Sequence, residues 1–286
     1  MSDSSKPTSA LLLLFTRTPL HVGAGESVGA IDQPIVRERP TGFPIVPGSG
    51  LKGVLRETCR RDDTLKSLEK QIFGDETGAG RLSFGEAKIL AFPVRSARGS
   101  FAFVTCPLAL ERFRRERGQD STKPKLTTPP EPAEMHCLAG ESVIVSRAGK
   151  SDVVLEEYKF TRDGAFPADW EKVLVDLLDD DVWKVARNRL VLLNNGNFGH
   201  FVKNACDVSQ HVGLDPEKGT AKDGALFNLE AVPAETLFFA PITLAARGTE
   251  GLDSLDRLRE LLDRKPVLQF GGDSTTGLGF CTVRLA

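Results

Sequence analysis

Three side chains able to move a proton or hold a cation stand beside glycines or strand ends in this chain: His21 in HVGAG, Asp32 in GAIDQP and Glu230 in FNLEAV. Histidine titrates near neutral pH and suits proton transfer. A carboxylate serves as a general base or as a ligand for a divalent cation. Downstream of Asp32 come Arg37, Arg39, Lys52 and Arg56. From Gln33 to Arg61 there are six basic and two acidic residues, a local +4 inside a chain of net charge −2. Cutting an RNA strand needs a 2′-OH deprotonated, in-line geometry, and charge stabilised on the scissile phosphate; guanidinium groups hold phosphates well. Each residue also has a plain structural reading. A lone Asp in a loop forms turns and caps, and a lone His serves as a hydrogen-bonded core or surface group. Spacing alone leaves both readings open.

Two glycine-rich loops lie at opposite ends of the chain, HVGAGESVGA (21–30) and GGDSTTGLG (271–279). Neither ends in the Gly-Lys-Ser/Thr of a Walker loop, and the first opens no Rossmann helix. Glycine backbone N–H groups approach phosphates closely. Gly271, Gly272 and Gly277 offer such groups, and Thr275 and Thr276 add hydroxyls. Turns use the same residues.

Several elements must position these groups. Ala10–Arg17 reads as a buried strand. Ser49 can cap a helix in which Leu51, Val54, Leu55 and Thr58 recur at i, i+3, i+4, i+7. On another face Lys52, Arg56 and Arg60 recur every fourth residue. That stripe suits either a solvated surface or a phosphate-facing helix whose N-terminus offers free N–H groups. Residues 111–135, charged and then rich in Pro and Thr, read as a helix end followed by a mobile insertion. Asn194–Gly224 is long and polar with scattered apolar residues, and reads as a protruding hairpin. A helix is expected over Leu252–Asp263, and a last strand in which Cys281, Val283 and Leu285 alternate inward. Strands and helices mix in α+β order, which permits a ferredoxin-like sheet with large insertions in one domain.

The bulk properties exclude other classes. The chain has 286 residues, 40% of them apolar and 27% charged, so there is ample material for a core. No global basic field exists for non-specific duplex binding, although a local groove remains open. The five cysteines are too far apart for a zinc or redox pair and are read as packed, reduced thiols. The apolar run Ala10–Phe15 is too short to span a bilayer. A cytoplasmic protein without membrane attachment is expected.

The stretch GAIDQPIVRERPTGFPIVPGSGLKGVLR resembles the signature of the RAMP superfamily of CRISPR proteins, and GGDSTTGLGF resembles that superfamily's C-terminal glycine-rich loop. Within it, DQPIVRERPTGFP is similar to the backbone subunits of type III-B (Cmr) effector complexes. TPLHVGAG, FVTCPLAL, LEEYKF and KDGALFNLEAVPAETLFF extend the likeness from Thr18 to Phe280. The resemblance implies a ferredoxin-like, RRM-related core with a long thumb hairpin. It implies copies stacked as a filament on a CRISPR guide RNA, together with other Cmr-type subunits. Complementary target RNA would be cut at regular steps with a divalent metal ion, Mg or Mn. Asp32 would carry the cleavage and hold the metal, with His21 and Glu230 in support. Arg37, Arg39, Ser49, Lys52 and Arg56 would grip the RNA backbone, and Gly271, Gly272, Thr275, Thr276 and Gly277 would lie against it. The thumb would be 198–224, with Phe201 and Val202 as its wedge and Lys203 touching RNA. One departure stands out: PGSGLKG carries Gly50 where a second serine is common.

Two other readings remain compatible with these residues. One is a subunit of the same architecture that binds guide RNA without cutting. The other is a stand-alone ribonuclease for CRISPR repeat RNA, using His21 as a metal-free base.

Overall fold

The structure, a computed structural model, describes residues 9–25, 31–118, 124–147, 149–214, 218, 220–245 and 253–286. In chain order its main elements are β1 (Ser9–Thr16), α1 (Gly48–Arg60), α2 (Glu69–Phe73), β2 (Ala87–Arg95), β3 (Phe101–Thr105), α3 (Pro107–Arg117), β4 (His136–Ala139), β5 (Ile144–Arg147), β6 (Lys150–Leu155), β7 (Tyr158–Gly164), α4 (Ala168–Val175), β8 (Leu190–Leu192), α5 (Asn195–Asn204), β9 (Asp207–Leu214), β10 (Ala221–Ala231), β11 (Leu237–Leu244), α6 (Ser254–Arg264), β12 (Val267–Gln269) and β13 (Phe280–Leu285).

Four strands lie side by side in the order β13–β1–β11–β2. The chain path β1–α1–β2–β11–α6–β13 therefore traces the βαββαβ ferredoxin-like unit that the sequence order permits. The long excursion between β2 and β11 extends the same sheet through β3, β8, β4, β7, β6 and β5. It also sends out β9 and β10, which pair only with each other.

Why β1 reads as an unbroken apolar run follows from its place. It is hydrogen-bonded on both sides, to β11 and β13. Both faces are covered as well. Ala10, Leu12 and Leu14 pack with Leu51 and Leu55 of α1 and Leu255, Leu258, Leu261 and Leu262 of α6. Leu11, Leu13 and Phe15 meet Leu110 and Phe113 of α3, Trp170 and Trp183. Each such side chain contributes about 1.5–3 kcal/mol on burial.

Three expectations need correction. Helix α1 begins at Gly48 with Pro47 at its N-cap and no side-chain cap, so Ser49 sits exposed inside the first turn. The 111–135 segment is not one mobile insertion. Residues 111–117 complete α3, where Phe113 is buried. Further on, Leu126 is buried, the Thr127 N–H donates to Asp169 at 2.8 Å, and Trp170 Nε1 donates to the Thr127 carbonyl at 3.2 Å. Residues 119–123 of that stretch lie outside the described residues.

The third correction concerns 198–224. Its first part is the end of α5, capped by Asn194, whose side chain accepts the Asn197 N–H at 2.7 Å. Phe198, Phe201 and Val202 recur at i, i+3, i+4 and face the core, at 0%, 2% and 0% exposure. Phe201 and Val202 therefore cannot be a wedge. The free-standing hairpin is β9–β10, running to Ala231; residues 215–217 and 219 near its turn lie outside the described residues.

Candidate functional site

Three segments meet at the base of that hairpin. Residues 20–24 pair with β10 and its continuation through Leu20 and Val232, with hydrogen bonds of 2.8 and 2.9 Å. The Asp32 stretch runs parallel to β10, with Gln33 opposite Leu229. The two segments also bond each other, from Ala24 N–H to Pro34 O and from Val36 N–H to Val22 O. Through them His21, Asp32 and Glu230, far apart in sequence, are brought onto one short length of β10.

Their situations differ. Asp32 is exposed, and its Oδ2 accepts the main-chain N–H of Asn228 at 2.8 Å. His21 is 7% exposed, and its Nδ1–H donates to the Glu230 carbonyl at 2.6 Å. That bond fixes the tautomer of a neutral ring and leaves the lone pair on Nε2. Gly23 keeps that edge clear, since a Cβ there would stand 3.0 Å from Nε2.

Glu230 is 5% exposed and fully engaged: Oε1 pairs with Arg37 Nη2 at 2.5 Å, and Oε2 accepts the Ile35 N–H at 3.0 Å. Both oxygens are turned to the protein, so Glu230 is a buried organiser of the Asp32 stretch and not a group that meets substrate. The same bond corrects the role expected of Arg37. Its guanidinium faces inward on Glu230, Gly42, Val202 and Cys206.

The C-terminal glycine loop closes over His21. The Gly272 N–H donates to the His21 carbonyl at 2.9 Å, and Gly279 N–H to Pro19 O at 2.8 Å. Gly271 has φ +75°, and a Cβ there would collide with the His21 carbonyl oxygen, so the close approach requires glycine. Gly272, Thr275 and Thr276 are exposed and Gly277 half-buried.

The cations divide into two groups. Arg39 is exposed on a turn braced by Arg112, which pairs with Glu38 at 3.0 Å, and Thr41 also donates to Glu38. Lys52 lines a groove of about 820 Å³ with Arg56, Lys70, Asp75 and Thr77. Arg39, Lys52 and Lys203 have no ion pair among the described residues. Arg56, by contrast, pairs with Glu69, as does Arg60. The Arg56 guanidinium holds the Glu69 carboxyl below the usual range. Arg56 is thus first a clamp between α1 and α2.

The sequence pattern alone did not single out the hairpin's own side chains. Val208, Val212 and Leu226 are 55%, 46% and 60% exposed. On the other face His211 and Phe227, directly paired across the strands, stack at 5.4 Å and 15°. The alternation Val208, Gln210, Val212 is the strand signal that could have found them.

The donor set limits any metal. Among the described residues no three His, Cys, Asp or Glu cluster as a metal cage. One exposed carboxylate fits an ion of the Mg type, which takes one or two protein carboxylates and draws its other ligands from substrate phosphates and water. Among the described residues no helix is long and apolar enough to cross a membrane.

Known proteins share this arrangement. CRISPR system Cmr endoribonuclease Cmr4 of Pyrococcus furiosus is 34% identical over 286 residues, covering 96% of this chain and 95% of that protein. Csm3 of Mycobacterium tuberculosis, a Cms endoribonuclease, is 34% identical over 100 residues, 29% of this chain and 42% of its own length. A crystal structure of oligomeric Cmr4 from P. furiosus superposes with a TM-score of 0.74 at 29% identity, covering 97% of each chain. A chain of the type III-B Cmr-beta complex bound to cognate target RNA shares the fold, with a TM-score of 0.73 at 18% identity over 98% of each. Residues 14–282 match the RAMP superfamily, and with that match and the full-length likeness to Cmr4 the chain belongs to the RAMP superfamily, on its Cmr4 branch.

Proposed function

We propose that the protein is a backbone subunit of a type III-B CRISPR ribonucleoprotein, stacked in copies with other Cmr-type subunits along a guide RNA, and that it cuts complementary target RNA at regular steps. The observation that carries this reading is the pairing of one exposed carboxylate with one free-standing apolar hairpin on the same strand. Asp32 is anchored at Asn228, while Val212, Leu226, His211 and Phe227 lie further out. A hairpin of this kind separates neighbouring bases, and the carboxylate stands at its foot.

The chemistry asked of the chain is modest. Asp32 takes the proton of the 2′-OH, or orients that hydroxyl in line with the adjacent phosphorus. A divalent ion held by Asp32 and the phosphate would supply charge neutralisation at the scissile group. Arg39 and Lys52 hold the RNA backbone without reading its sequence, as suits a protein whose specificity comes from base pairing between RNA strands. His21 supports the loop around Asp32. With Nδ1 engaged and the ring buried, it is poorly placed to act alone as the base of a metal-free processing enzyme.

The test is cleavage of guide-complementary RNA by the assembled complex, with Mg or Mn or with chelator, using wild-type and Asp32→Ala subunits. A regular ladder that needs both the ion and Asp32 supports the proposal. Target binding without a ladder would make this a guide-holding subunit only.

A further inference from the structure

We propose that Arg37 is a positioning residue for strand cleavage: it clamps the Asp32 stretch to the foot of the β9–β10 hairpin, so that each copy cuts at one defined phosphate beside its own hairpin. This rests on the reading that Asp32 cuts and the hairpin separates bases.

Arg37 divides its guanidinium among four separate pieces of chain. Nη1 donates to Gly42 O in the 38–43 turn and to Val202 O in the last turn of α5, both at 2.9 Å. Nη2 donates to Glu230 Oε1 at 2.5 Å and to Cys206 Sγ, just before β9, at 3.4 Å. Only a planar fork with several fixed donors bridges so many acceptors at once. The link continues through Glu230, whose Oε2 takes the N–H of Ile35, three residues from Asp32. The stretch is thus fastened to β10 at Asp32, Gln33, Ile35 and Arg37 in turn. The Arg37 and Glu230 side chains are only 20% and 6% exposed, which shields the pair from salt.

A two-stranded hairpin has little stability or stiffness of its own. Without a clamp, the hairpin and Asp32 would move independently, and the phosphate presented for attack would vary. A misplacement of about 1 Å costs about 10²-fold in rate. The clamp makes hairpin and carboxylate one rigid body, and regular stacking of copies then yields regular cuts.

The experiment uses assembled complexes carrying Arg37→Lys or Glu230→Gln. It measures guide affinity and its salt dependence, the single-turnover rate at saturating target, and product ends at single-nucleotide resolution. The expected result is unchanged guide affinity and copy-to-copy spacing. The rate should fall about 10- to 100-fold, and each cut should spread over neighbouring phosphates. Sharp cuts at the wild-type rate from Arg37→Lys overturn the proposal. So does a loss of guide affinity with a flatter salt dependence, which would make Arg37 a phosphate ligand. If Arg37→Lys does not assemble, Glu230→Gln decides: it keeps the size of the side chain and removes the ion pair, and sharp, full-rate cutting overturns the proposal. A wild-type complex with no ladder overturns the cleavage reading and this proposal together, whereas a ladder unaffected by the variants overturns this proposal alone.

Discussion

Asp32 is hydrogen-bonded to the hairpin it stands beside: its Oδ2 accepts the main-chain N–H of Asn228 on β10 at 2.8 Å. Because the donor is backbone, no side-chain substitution at Asn228 removes it. The bond fixes one carboxylate oxygen and leaves the other to meet substrate.

Asp32→Asn keeps an acceptor for that N–H and removes the charge. Target cleavage is expected to fall by about 10²–10⁴-fold, the range for losing a general acid–base group, with assembly and guide binding intact. Single-turnover assays beside a guide-binding titration check this. Cleavage by Asp32→Asn within a few-fold of wild type would remove the carboxylate from the mechanism.

Arg39 and Lys52 should behave differently from Arg56. Arg39→Ala and Lys52→Ala each weaken guide binding and reduce the log–log salt slope by about 0.7 for each phosphate no longer neutralised. Arg56→Ala strands the buried Glu69 with Arg60 alone and destabilises the fold by about 1–3 kcal/mol. The folded Glu69 carboxyl lies below its usual range, chiefly through the Arg56 hydrogen bond. Its contribution is therefore present above the ordinary glutamate range and lost as pH falls through the lowered value. Melting curves between about pH 6 and about pH 3 should show a shallower acid-side loss in Arg56→Ala.

The hairpin and the core helix before it separate by the same logic. Val212→Ser with Leu226→Ser, or Phe227→Ala, should blur or remove the regular cuts while leaving the melting temperature nearly unchanged, since these residues are exposed or at the hairpin surface. Phe201→Ala should instead cost about 3–5 kcal/mol, as for a buried aromatic. Product mapping and thermal melts of the same variants decide. Any trimming of the hairpin must stop short of Asn228, because that residue holds Asp32.

Glu235 offers a pH test remote from the RNA. Burial, and then Asp180 nearby, pushes its carboxyl from 4.5 up to about 7. Between those values the folded chain keeps a proton that the unfolded chain has released. Its contribution to stability is therefore greatest in acid, declines as pH rises from 4.5 to about 7, and is flat above. Glu235→Gln should remove that decline and raise the melting temperature at about pH 8. An unchanged pH–stability profile would mean that Glu235 is ionised throughout.

The sequence alone determined the broad plan. Unbroken apolar runs marked β1 and β11 as strands buried on both faces, and helical periodicity marked α1 and α6, because both depend on local pattern. The motif around Asp32 likewise identified the family and singled out that carboxylate. Only the tertiary structure decided which charges are free to face RNA. Arg37 and Arg39 look alike in VRERP, yet one is exposed and the other is locked to Glu230, 193 positions away. No local pattern encodes a partner at that distance. Phe201 and Val202 misled for the opposite reason: their i, i+3, i+4 spacing was present, but the surrounding Asn and Gly residues look like loop until Asn194 is seen capping a helix against the core. The clamp that joins carboxylate, helix end and hairpin exists only once the chain has folded, because its four acceptors come from segments that sequence distance keeps apart.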